Sequence, residues 1–147
     1  MIMAMISFQS ENIKMPKLDR KATRKWIESV ATSYNGLKVG KLNYIFCGDE
    51  RILEVNRQFL GHDYYTDIIT FDYSEPGVVN GDMYISLDTV MSNSLKFRTP
   101  YETELMRVII HGVLHLCGIN DKGRGERAVM EAAENRALEM WNNKTIQ

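Results

Sequence analysis

One segment, TPYETELMRVIIHGVLHLCG at residues 99–118, constrains this chain more than any other. Thr99-Pro100-Tyr101-Glu102 has the form of a helix start. Threonine caps, proline takes the first helical position, where its missing donor is not needed, and glutamate completes a capping box. Leu105, Val108, Ile109, Gly112 and Leu116 then recur at helical spacing, so one face of this helix packs inward, and Gly118 marks its stop.

The rest of the chain supplies partners for that face. Residues 2–8 have strand character. Residues 19–35 carry Ala22, Trp26, Val30 and Tyr34 four apart, a helical face that Asp19 can cap and Gly36 can stop. Leu42 to Cys47 runs apolar like a strand, Gly48 and Asp49 mark a break, and Ile52, Val55 and Phe59 outline a short amphipathic helix ended by Gly61. Ile68–Tyr73 and Met83–Ser86 read as neighbouring strands joined by the turn-forming SEPGVVNG. Leu87–Phe97 reads as a helix, and Arg124–Trp141 as a last helix with Val129, Ala133, Ala137 and Met140 inward. The tail NNKTIQ is expected to fray. The expected class is α+β: a small mixed four-stranded sheet packed with about five helices.

A chain of 147 residues, 44% hydrophobic, is expected to form one domain spanning 1–147. The formal charge of −1 gives no general pull toward nucleic acid. Its distribution is uneven, however, and Lys14, Lys17, Arg20, Lys21, Arg24 and Lys25 form a basic face that suits an RNA backbone as well as it suits solvent. The apolar start lacks a basic leader and a cleavage site, and no run approaches the ~18 residues of a membrane span. Cys47 and Cys117 are too few for a disulfide framework and sit in apolar stretches, so a reducing cytoplasm is the expected compartment.

The chemistry is concentrated in HGVLHLCGIND. His111 and His115, four apart, place two imidazoles on one helix face at a spacing suited to sharing one metal ion. Gly118 lets the chain leave the helix in a left-handed turn, after which Asp121 can bring a carboxylate oxygen to the same ion; His62 is the competitor for that third place. Three protein ligands leave a fourth position for water, the pattern of catalytic zinc. Gly112 stands where the zinc-peptidase motif HExxH carries its general base. One zinc ion that polarises a phosphoryl oxygen and lowers the pKa of water instead suits phosphodiester hydrolysis.

HGVLHLCGIND, together with TDIITF at 66–71 and GDMYIS at 81–86, resembles the YbeY family, whose pattern reads HGxLHLxGxDH, TDVLSF and GDIxIS. The resemblance covers most of the chain. It implies a zinc-dependent, single-strand-specific endoribonuclease with a shape akin to zinc metallopeptidases. The work implied is maturation of the 16S rRNA 3′ end and ribosome quality control, so rRNA and the small ribosomal subunit are the expected partners. His111 and His115 match the first two family histidines, whereas Asp121 falls at the third, adding negative charge near the ion. Leu60 stands where the family's functional arginine would be. Arg57 or His62 is a candidate replacement cation, and Thr66 and Asp67 are either substrate contacts or a loop cap. Two other readings stand beside the nuclease: an RNA-binding ribosome-assembly factor with a mainly structural metal, and a metallopeptidase-like hydrolase.

Overall fold

The computed structural model describes residues 3–143. Strand β1, Met5–Ser10, leads through α1, Arg20–Thr32, to β2, Lys38–Cys47. Helix α2, Asp49–Val55, continues into a wide π-helical turn, Asn56–Leu60, before β3, Ile68–Asp72, and β4, Val78–Ser86. Helices α3, Leu87–Phe97, α4, Tyr101–Leu116, and α5, Glu126–Asn143, follow. The class is α+β, as expected. The sheet order is β1-β2-β4-β3, with β1, β2 and β4 parallel and β3 antiparallel to β4.

The sheet has two apolar faces. On one, Phe8, Leu42, Tyr44, Phe46, Met83 and Ile85 meet α1, α4 and α5 in the main core. On the other, Cys47 and Ile69 pack with Ile52 and Val55 of α2. Burying a large apolar side chain completely contributes about 1.5–3 kcal/mol, and Trp26, Ile27, Leu42, Ile109 and Leu114 are all buried to that degree. Two buried aromatics also satisfy their polar tips. Tyr44 Oη donates to the Ile109 carbonyl at 2.9 Å, tying β2 to α4, and Trp26 Nε1 donates to the Ala137 carbonyl at 2.8 Å, tying α1 to α5.

Asp19 caps α1, accepting from the Ala22 amide at 3.0 Å. Several sequence expectations need correction. Strand β4 begins at Val78, so the turn is shorter than SEPGVVNG. Asn80-Gly81 lies inside the strand because an added Cβ on Gly81 would stand 2.7 Å from the Phe71 carbonyl oxygen, a close strand approach that only glycine allows. Phe59 is 57% exposed, meeting Phe71 edge-on at 5.8 Å instead of entering a core stripe. The capping box at 99–102 does not form. Pro100 itself occupies the cap position, while the Thr99 amide closes the end of α3 by donating to the Ser94 carbonyl at 3.0 Å. In α5 the buried residues are Met130, Ala133, Glu134, Ala137 and Leu138, with Met140 packed partly buried against the core as expected, while Val129 is 59% exposed. Residue 2 of the expected first strand and residues 144–147 of the expected frayed tail lie outside the described residues.

Within the basic segment, Arg24 has an internal role: its Nε donates to the Ile6 carbonyl at 2.9 Å and its guanidinium lies 5.4 Å from the Phe8 ring centre. Lys14, Lys17, Arg20, Lys21 and Lys25 are exposed.

Candidate active site

Helix α4 carries a polar stripe on an otherwise buried body: Glu104, Arg107, His111 and His115, at positions i, i+3, i+7 and i+11, line one side of a cavity of about 830 Å³. Glu134 of α5 and Asp121 of the α4–α5 loop stand on its other walls, as do His62, Thr66 and Asp67 from the segment before β3. Arg57 is not on the wall; its guanidinium is engaged by Asp63 at the surface.

His111 is held from both ring nitrogens. Its Nδ1–H donates to Glu134 Oε2 at 2.7 Å, and its Nε2 faces Asp121 Oδ2 at 3.4 Å. Glu134 is fixed in turn by Arg107, whose Nη1 donates to Oε1 at 2.9 Å while Nη2 donates to Asn135 Oδ1 at 2.9 Å. Burial alone would depress the His111 pKa, but the hydrogen bond and charge of Glu134, with the charges of Asp67 and Asp121, outweigh it and leave the imidazole above its ordinary value. Burial works against the Glu134 carboxylate too, yet the hydrogen bonds from His111 and Arg107 hold it below the usual range. Asp67 and Glu104 are pushed up by burial, with the charge of His111 opposing the shift at Asp67 and that of Arg107 at Glu104.

The carboxylates around His111 favour positive charge on or beside its ring, and Asp121 Oδ2 is the group opposite Nε2. Their 3.4 Å separation exceeds a good N–H···O distance. It matches the edge of a tetrahedron with zinc–ligand bonds of about 2.0–2.1 Å, which is about 3.3–3.4 Å. His115, the other candidate donor, has its side chain at the solvent side of the same wall. Among the described residues, no three His, Cys, Asp or Glu side chains are already gathered closely enough to hold an ion. The donor set fits zinc in kind and, for the His111–Asp121 pair, in spacing.

The left-handed turn at Gly118, φ +100°, does redirect the chain after α4, with the Ile119 amide donating to the Leu114 carbonyl at 3.1 Å. Gly112 has a steric reason to be glycine. A Cβ there would lie 2.7 Å from Met83 Sδ and 3.0 Å from Ile68 Cδ1, because α4 rests directly on β4 and β3 at that point. A glutamate at this position, where zinc peptidases carry their general base, would require Met83 and Ile68 to give way. Sequence reasoning missed Glu104, Arg107 and Glu134. The first two share the polar stripe of the histidines, and that spacing was the available signal; Glu134 lies 23 residues from its partner His111.

The profile of the endoribonuclease YbeY family matches residues 5–142. A Phocaeicola vulgatus protein named endoribonuclease YbeY is 64% identical over 134 residues, covering 91% of this chain and 96% of its own. A Bacteroides fragilis protein of the same name is 62% identical over 135 residues, covering 92% and 96%. A solution structure of a Thermotoga maritima protein superposes with a TM-score of 0.66 at 29% identity, covering 95% of this chain and 91% of that one.

Proposed function

We propose, on the premise that this chain belongs to the endoribonuclease YbeY family, that it is a zinc-dependent endoribonuclease cleaving single-stranded RNA in the cytoplasm. Its substrate is rRNA of the small subunit, cut in 3′-end maturation and ribosome quality control. The observation that carries the reading is the His111 imidazole fixed between Glu134 and Asp121 on the cavity wall.

His111, His115 and Asp121 are the residues that would hold the ion. When bound, zinc would supply Lewis acidity toward a phosphoryl oxygen and make water a usable nucleophile near neutral pH. Glu134, a carboxylate acceptor, would keep the His111 proton on Nδ1, which would leave Nε2, facing Asp121, free to ligate an ion. Arg107 keeps Glu134 charged and in place. The charge balance of the wall favours a cation as well. Asp67, Glu104, Asp121, Glu126, Glu131 and Glu134 outnumber Arg107, Lys122 and Arg127, and a phosphodiester enters such a cavity readily only when positive charge is added.

Zinc analysis and RNA cleavage test the reading together. We expect close to one zinc per chain in the folded protein and cleavage of single-stranded rRNA fragments in preference to duplex. His111→Ala, His115→Ala and Asp121→Ala should each lose the metal and at least about a hundredfold in rate. A folded wild-type protein that takes up no metal and leaves RNA intact would refute it. The ribosome-assembly reading with a structural metal draws support from Leu60 and from the engagement of Arg57 by Asp63, which leave no arginine of that segment on the wall. It requires that the fold depend on the metal.

A further inference from the structure

The excess of carboxylates on the cavity wall raises the question of what holds the rest of an RNA strand. Among the described residues, the segment before β3 offers no free cation for a phosphate: Leu60 is apolar and Arg57 is paired with Asp63. The wall does, however, present a built aromatic pair. The rings of His62 and Tyr64 stack with centres 5.2 Å apart and planes 19° apart, and Tyr64 Oη shares a hydrogen bond of 3.0 Å with His62 Nδ1. Both residues line the cavity that contains His111, and Tyr64 is 50% exposed.

A solitary exposed tyrosine means little, since much of any protein surface is apolar. This pair is different because its backbone is pinned from below. Asn56, 1% exposed in the π-helical turn, donates from Nδ2 to the Tyr64 carbonyl at 2.9 Å, and its own carbonyl accepts the His62 amide at 3.1 Å. A buried asparagine is thus committed, through its side chain at Tyr64 and its backbone carbonyl at His62, to holding the backbone beneath both rings on the cavity wall. Rings ordered before binding lose little further freedom when a ligand arrives.

We propose that His62 and Tyr64 form a stacking subsite for one unpaired nucleobase of the strand whose backbone enters the cavity. The identity of the ligand rests on the endoribonuclease reading. A base in a duplex has both faces covered by its neighbours, whereas an unpaired base can lie on the His62–Tyr64 stack. Selection for single strands then comes from the rings as well as from the cavity's shape, and it is insensitive to base identity because every base has a π face.

The test is fluorescence anisotropy with a short, labelled, phosphorothioate-linked single-stranded RNA and with the same strand carrying abasic positions, each at low and high salt. Tyr64→Leu should weaken binding of the intact strand roughly 5- to 150-fold. The factor should be the same at both salt concentrations, because stacking releases no counterions. Wild type should bind the abasic strand as weakly as Tyr64→Leu binds the intact one, and Tyr64→Phe, which keeps the ring, should retain most of the affinity. Tyr64→Leu binding the intact strand like wild type would overturn the subsite, as would Tyr64→Phe falling as far as Tyr64→Leu. Cleavage assays run in parallel separate the two readings. Efficient cleavage with Tyr64-independent binding sinks the subsite alone, and Tyr64-dependent binding without any cleavage sinks the nuclease reading alone.

Discussion

Both oxygens of Glu134 are in use, Oε1 by Arg107 and Oε2 by His111, in a side chain that is almost completely buried. Removing the carboxylate charge should therefore act on the imidazole before it acts on anything else. Glu134→Gln is expected to weaken zinc affinity about 10- to 100-fold in a chelator competition, and ¹⁵N NMR of the metal-free protein should show the His111 proton shifting away from Nδ1. Unchanged affinity and an unchanged tautomer would mean that Glu134 serves only to join α4 to α5. At this scale the sequence was readable where spacing is local. His111 and His115 declare themselves four apart, and Gly118 announces the turn that carries Asp121. Glu134 was hidden because it sits at i+4 from Met130 and i−4 from Leu138, in the middle of the apolar stripe of α5, where only its charge marks it as out of place.

Helix α4 holds its polar stripe in position by resting on the sheet at Gly112, where an added Cβ would meet Met83 and Ile68 at 2.7 and 3.0 Å. Alanine is favoured over glycine in a helix by about 1 kcal/mol, but forcing a methyl group into a closed contact costs about 1–3 kcal/mol. The second effect is expected to win because the Met83 thioether, fully buried, and the Ile68 tip must both shift to admit the methyl group. Gly112→Ala is expected to lower stability by about 1–2 kcal/mol in urea unfolding, and a stabilised variant would show that the contact is slack. The helices themselves were largely legible: α3 lies where its pattern placed it, and the apolar face of α4 is buried throughout. Their ends and phases were less so. The threonine of the apparent capping box was recruited by the preceding helix, and α5 turned Val129 out in favour of Met130 because the stripe follows a spacing of 3.6 residues instead of a strict four. The Val78–Gly81 stretch looked like a turn because Gly81 reads as a bend rather than as a close strand contact.

For the molecule as a whole, the main core gathers residues from β1 to α5 behind the cavity, and neither buried hydrogen bond that anchors α4 and α5 to the rest passes through the candidate ligands. The fold should therefore outlast the ion. Treatment with a chelator is expected to leave far-UV circular dichroism and a cooperative thermal transition in place, with a lower midpoint as the linked binding energy is lost. Collapse to an unfolded chain would instead favour a structural metal. The strand order β1-β2-β4-β3 could not be read from the sequence, because the pairing of β2 with β4 joins segments separated by an entire helix, a turn and another strand. Two of the three candidate ligands are fixed in α4, whose apolar face is buried, whereas Asp121 belongs to the loop after Gly118, outside any helix or strand. An exchange of carboxylate for imidazole at position 121 therefore falls on a loop side chain, apart from the helices and strands of the fold. Under the zinc reading, metal preference is then tuned from a loop, away from the layers that hold the fold together.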